Sequence, residues 1–167
     1  MALEAMVVAL AVRVSRDRKG IAVKVENAAK VFADRKLQVG FFSTARYDDD
    51  KGTNKPVAGV AAVHELGSTK RNIPARSFMR TTAEENQKEW AGIFADAMTA
   101  VIEGQISADD ALNQIGSYVV GQVQGKIEEI QEPKLKDATV ERKGFAKPLI
   151  QSGLMKDSLT HKVSQKE

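Results

Sequence analysis

Apolar positions along this chain follow two periods, and each change of period marks an element. From Leu10 to Arg16 the pattern alternates, with Leu10, Val12 and Val14 on one face and Ala11, Arg13 and Ser15 on the other. That predicts a strand with one buried face. Asp17 is placed to cap a following helix, whose Ile21, Val25, Ala28 and Phe32 recur at helical spacing while Lys24 and Lys30 fall off the stripe. A second strand is predicted from Leu37 to Phe42, with Leu37, Val39 and Phe41 inward. Residues 43–56 are turn-rich and charged, which predicts an exposed loop or hairpin tip.

Val57 to Leu66 reads as a short helix carrying Val57, Val60, Ala61 and Leu66 on one side, with Gly67 at the left-handed stop. A polar turn from Ser68 to Asn72 follows, and Ile73-Pro74 forces an extended approach, because proline disfavours helical geometry in the residue before it. A long helix is predicted from Met79 to about Glu103. Thr81 or Thr82 is its cap, Glu84 and Glu85 lie in the first turn, and Gly104 is its end. Trp90, Ile93, Phe94, Ala97, Met98, Val101 and Ile102 form its stripe. Ser107 with Asp109 and Asp110 starts another helix running to Ile130, its stripe being Leu112, Ile115, Val119, Val123, Ile127 and Ile130. Gly116, Gly121 and Gly125 each lower the stability of that helix by roughly 1 kcal/mol relative to alanine. Three such penalties predict close approach of another backbone, from this chain or a neighbour.

Glu132-Pro133 stops the second long helix. The remainder is polar and basic, with a short helix capped by Ser152 and a closing strand in which Leu159, His161 and Val163 alternate with polar residues. The expected fold is α+β: a small, mostly antiparallel sheet packed by helices, with a long helical pair and an extended C-terminal arm. The expected division is an α+β core over residues 1–132, with loop 43–56 projecting, and an arm over 133–167.

Charge refines this picture more than composition does. Net charge is +3, but residues 1–40 and 133–167 each hold eight basic against four acidic residues, while 41–132 holds nine against fourteen. Basic ends flanking an acidic centre suit head-to-tail self-association, with complementary charge setting register and on-rate. The chain has no cysteine, which removes disulfides and thiolate chemistry, and only two histidines. His64-Glu65 begins like a zinc-protease signature, but the position four residues on is Ser68. Asp48, Asp49 and Asp50 are consecutive and lack the alternation of a calcium loop. With no phosphate loop and no nucleophile-elbow serine, the sequence assembles no catalytic constellation, so the expectation is no enzyme and no cofactor. The apolar opening stretch is too short for a membrane span and lacks signal-peptide flanks, so a soluble, intracellular protein is expected.

Two stretches carry a resemblance. Tyr47, Gly52-Thr53, Val57-Ala58, Ala61, His64-Glu65-Leu66-Gly67 and Ile73-Pro74-Ala75-Arg76-Ser77-Phe78 stand in the order of a pattern in tail-component or tail-completion proteins of long-tailed bacteriophages. Leu135, Asp137-Ala138-Thr139, Arg142-Lys143-Gly144, Lys147-Pro148-Leu149-Ile150, Ser152-Gly153, Leu154 and Ser158 resemble the C-terminal pattern of phage virion-morphogenesis proteins. The chain departs at Leu66, Ser77 and Gln151, where phenylalanine, proline and an acidic residue are usual.

The resemblance implies a structural virion protein that oligomerises at the head–tail interface as a tail-completion, tail-terminator or neck protein, joining or capping the tail. It implies a homo-oligomeric ring, six subunits being usual for the tail and twelve for the portal side. Its partners would be neck, portal-adaptor or tail-tube proteins, with assembly in the bacterial host cytoplasm. The expected interface residues are Tyr47, Asp48, Arg71, Arg76, Phe78, Arg80, Arg142, Lys143, Leu149 and Leu154. Phe78 is the expected anchor, or else part of its own subunit's core, and Arg76 its charge-pairing neighbour. The alternative is a DNA-binding accessory protein whose basic segments contact phosphates, including DNA in the channel of a ring.

Overall fold

The computed structural model of the chain describes residues 18–42, 44–47 and 54–166. The expected strand over residues 10–16, its Asp17 cap and Asp48 lie outside them. The architecture is α+β, with six helices and two short strand pairs among the described residues. The chain forms two compact units. One holds the described residues through Gln38, Asn86–Tyr118 and those from His161 on; the other holds Val39–Glu85 and Val119–Thr160.

In the first unit, α1 (Arg18–Ala33) buries Val25, Ala28 and Phe32, as its apolar spacing requires. The chain turns at Asp34 into β1 (Arg35–Gly40), which starts two residues earlier than expected and ends before Phe41. Its partner is the closing strand, β4 (Thr160–Gln165). The Lys166 amide donates to the Asp34 carbonyl at 2.8 Å, so the entry of β1 lies beside the exit of β4 and the two run antiparallel. Phe32 meets Phe94 with ring centroids 5.2 Å apart. Met98, Ala108, Ala111 and Leu112 complete this core, with Leu37 and Val163 packed against it from the two strands.

The long helices are α3 (Phe78–Ile102) and α4 (Ala108–Glu129). At the end of α3, Gly104 takes a left-handed φ of +76°. Its amide donates to Val101 and that of Gln105 to Ala100, so two of the last carbonyls are satisfied. Ser107 then caps α4 as expected: its hydroxyl accepts from the Asp110 amide at 3.1 Å and donates to the Asp110 carboxylate at 2.6 Å. Gly116 is where β4 meets α4. A Cβ there would sit 2.5 Å from the His161 ring and 2.9 Å from Leu37. The close approach expected for the helix glycines therefore holds at this position, but from side chains and not from backbone.

In the second unit, β2 (Arg46–Tyr47) pairs antiparallel with β3 (Lys55–Pro56), which makes the flanks of loop 43–56 a hairpin. The chain passes directly into α2 (Val57–Leu66), which buries Val57 and Ala61 and packs against α6 (Leu154–Asp157). Leu66 does not join that buried side and is 67 % exposed. At 3.6 residues per turn it lies half a turn around the helix from Val57, so the expected grouping was geometrically wrong. Gly121 and Gly125 on α4 have nothing among the described residues within 4 Å of where a Cβ would be, so the close approach expected there does not come from this chain. Val119, Val123 and Ile127 of the same helix are buried. Beyond a cis Glu132-Pro133 bond, α5 (Asp137–Lys143) ends on left-handed Gly144, whose amide donates to Val140. No described helix is long and apolar enough to cross a membrane.

Candidate functional site

The stretch 57–80 belongs wholly to the second unit and forms a braced bracket. Gly67, after α2, has φ +75° and ψ 174°. That is a glycine conformation, but not the left-handed helical one expected of a helix stop. A Cβ at Gly67 would lie 2.9 Å from the Ala75 amide nitrogen, so glycine is needed for close passage as well as for its positive φ. Between these two residues the chain makes a tight turn. Ser68 and Ile73 exchange backbone hydrogen bonds at 2.8 and 2.9 Å, and Asn72 adopts φ +52°. Lys70 and Arg71 stand exposed at the tip.

After Pro74 the returning segment is fixed to the end of α2. The Arg76 amide donates to the His64 carbonyl at 2.7 Å and the Ser77 hydroxyl to the Glu65 carbonyl at 2.9 Å. Helix α3 starts at Phe78, so Thr81 and Thr82 are inside it and not at its cap. Thr82 is buried and donates back to the Phe78 carbonyl. The cap comes from elsewhere. The Glu65 carboxylate accepts from the Met79 amide at 2.9 Å and the Arg80 amide at 3.1 Å, and pairs with the Arg80 guanidinium at 3.2 Å. A negative charge placed on the first free amides of a helix is favoured by both hydrogen bonding and the helix dipole.

Arg76 points inward and is 4 % exposed. Its guanidinium donates to the Pro133 carbonyl, from Nε at 2.8 Å, and to the Lys134 carbonyl at 3.2 Å. Burial disfavours its charge and the Glu132 carboxylate supports it. Lys143 makes a similar clasp, its ammonium donating to the carbonyls of Lys147 and Ile150 at 2.6 Å while lying over the Phe145 ring. Burial, and then the nearby Arg76, hold its pKa below the ordinary lysine value. The tyrosine expected at the site, Tyr47, is half-buried; burial raises its phenol pKa, against a backbone hydrogen bond with Met155.

The expected interface residues therefore fall into groups. Arg71, Arg80 and Arg142 are exposed, although Arg80 is engaged by Glu65. Tyr47, Lys143 and Leu154 are partly buried. Arg76 and Leu149 face inward, which corrects their assignment as surface contacts, and Phe78 takes the second of its two expected places, inside its own subunit. Phe78 is 0 % exposed and meets Phe41 edge-on, with centroids 6.3 Å apart. It anchors its own core, and Arg76 pairs with carbonyls of its own chain. Among the described residues, the large apolar side chains this unit does expose are Phe42, Leu66 and Phe145. Sequence reasoning missed these, together with the capping role of Glu65. The capping contact joins residues 14 and 15 positions apart, so no local motif announces it.

A shallow groove beside the bracket is lined by Arg76, Ser77, Thr81, Lys126 and Glu132. Its lysine, Lys126, already pairs with Glu85 at 2.6 Å and Glu129 at 2.7 Å. Among the described residues no group of histidine and acidic side chains is arranged to hold a metal ion. The charged groups of the bracket hold backbone in place, and this arrangement suits a rigid support for an exposed tip. Comparison of the chain with protein-family models, with curated proteins and with solved structures found no match.

Proposed function

We propose that the protein is a structural subunit of a long-tailed bacteriophage particle, oligomerising at the head–tail interface as a tail-completion, tail-terminator or neck protein. The observation that carries this reading is the bracket. The stretch that resembles the phage proteins is braced from within by Gly67, Glu65 and Arg76, and presents a basic tip at Lys70 and Arg71 with Leu66 exposed at its base. A conformation this heavily specified suits a surface that must match another surface, because preorganised contacts lose less freedom on binding.

On this reading the contact residues are Leu66, Arg71, Arg142 and Phe145. Phe78 and Arg76 support them from inside. The partners are further copies in a ring, together with neck, portal-adaptor or tail-tube proteins. Negative-stain images of the concentrated protein test the proposal, with closed rings expected. Leu66→Ser should disperse the rings while leaving the melting temperature of the subunit within about 2 °C, as for a surface change of under about 0.5 kcal/mol. Phe145→Ser should disperse them too, at a cost of about 0.5–1 kcal/mol from the lost Lys143 contact. Phe78→Ala should instead unfold or strongly destabilise the subunit, by about 3–5 kcal/mol. Single particles of subunit size at every concentration, combined with salt-sensitive binding to duplex DNA, would replace this reading with the DNA-binding one.

A further inference from the structure

His64 is a half-buried titratable group that the bracket does not use. Its Nδ1 is buried and has no hydrogen-bond partner among the described residues, while its backbone carbonyl holds the Arg76 amide. Among the described residues, the charges that act on its ring are both positive: Arg76 from the returning segment and Lys143 from the end of α5. The carboxylate next to it in sequence, Glu65, is committed to the α3 amides and to Arg80. On the other elements packed against α2, Lys156 of α6 is paired with Glu128, Asp157 lies beside it, and Lys55 of β3 is exposed. Glu132 faces Arg76.

We infer that His64 makes this bracket an acid-sensitive latch: neutral, it packs closed under the charges of Arg76 and Lys143, and protonated, it drives the end of α2 and the returning segment apart. An imidazolium must donate from both ring nitrogens, and Nδ1 has no acceptor within reach. A third positive charge would also stand beside two that are partly desolvated. Burial first, and then Arg76 and Lys143, depress the His64 pKa below its ordinary value of about 6.5. The unfolded or opened form therefore binds more protons than the closed one as pH falls. Stability from this group is complete above about 6.5 and is lost below it, down to the folded value. The inference stands independently of the phage reading, since it concerns the bracket alone.

The test is an NMR titration of the His64 ring together with amide-exchange protection factors between pH 7 and 5. His64 should titrate below about 6.5, and Lys143→Gln should raise that midpoint. Protection of the Arg76, Met79 and Arg80 amides should fall by up to tenfold per pH unit in this window. The Gly104 and Ala111 amides of the other unit should hold. In His64→Gln the local loss should vanish. A His64 midpoint at or above the ordinary value would overturn the inference, as would an undiminished loss in His64→Gln. Lys143→Gln with an unmoved midpoint would do the same, so the question remains answerable if His64→Gln fails to fold.

Discussion

Gly116, Gly121 and Gly125 occupy one helix, and the sequence presents them as equivalents. The structure separates them by what a methyl group would meet: the His161 ring at 2.5 Å in the first case, and nothing within 4 Å in the others. Gly121→Ala and Gly125→Ala should therefore stabilise the protein by about 0.5–1 kcal/mol each, through helix propensity alone. Gly116→Ala should destabilise it, because overpacking costs about 1–3 kcal/mol and outweighs that gain. Urea unfolding midpoints of the three variants check the opposite signs. At Gly67, alanine meets both a positive φ and backbone at 2.9 Å, so Gly67→Ala should lower stability by more than about 1 kcal/mol. That Gly67 is special was legible from its place after a helix. That Gly116 differs from its neighbours was not, because the cause is a histidine 45 positions away whose strand had to be placed first.

Among the elements, those with local causes were the legible ones. Helix α1 follows its apolar stripe, α4 starts at Ser107 as its capping pattern requires, and α3 ends at Gly104. The start of α3 was misread because Thr81 and Thr82 resemble a local cap, while the actual cap is a carboxylate from α2. Glu65→Ala should cost about 0.5–2 kcal/mol, the range of other lost helix caps. Its protection loss should concentrate at the Met79 and Arg80 amides, which amide exchange reads directly. Arg76 ties the same bracket to the Pro133 and Lys134 carbonyls. Arg76→Met should cost about 1.5–3 kcal/mol for hydrogen bonds made by a charged donor. Arg76→Lys should recover only part of it, since an ammonium lacks the planar fork that spans two carbonyls. The unfolding midpoints of this pair separate lost charge from lost geometry.

For the whole molecule, the α+β class was legible from the two periods of the apolar pattern, and the division into two units was not. Each unit gathers segments from distant parts of the chain, with β1 meeting β4 across more than a hundred residues, and composition carries no mark of such closures. The proposed contact surface shows the same limit. Phe78 and Arg76 stood out in the sequence because the fold needs them inside; Arg71 was legible as an exposed contact, whereas Leu66 read as an inward residue and Phe145 stands at the surface without any motif to single it out. Basic ends and an acidic centre fit an assembly of like subunits, whose association should then weaken with rising salt. On the proposed reading the chain acts by assembling with copies of itself, which light scattering of the purified protein over a range of concentrations reads out. A mass several times that of the subunit, falling toward one subunit in Leu66→Ser, is the predicted result. A single-subunit mass at every concentration would contradict it.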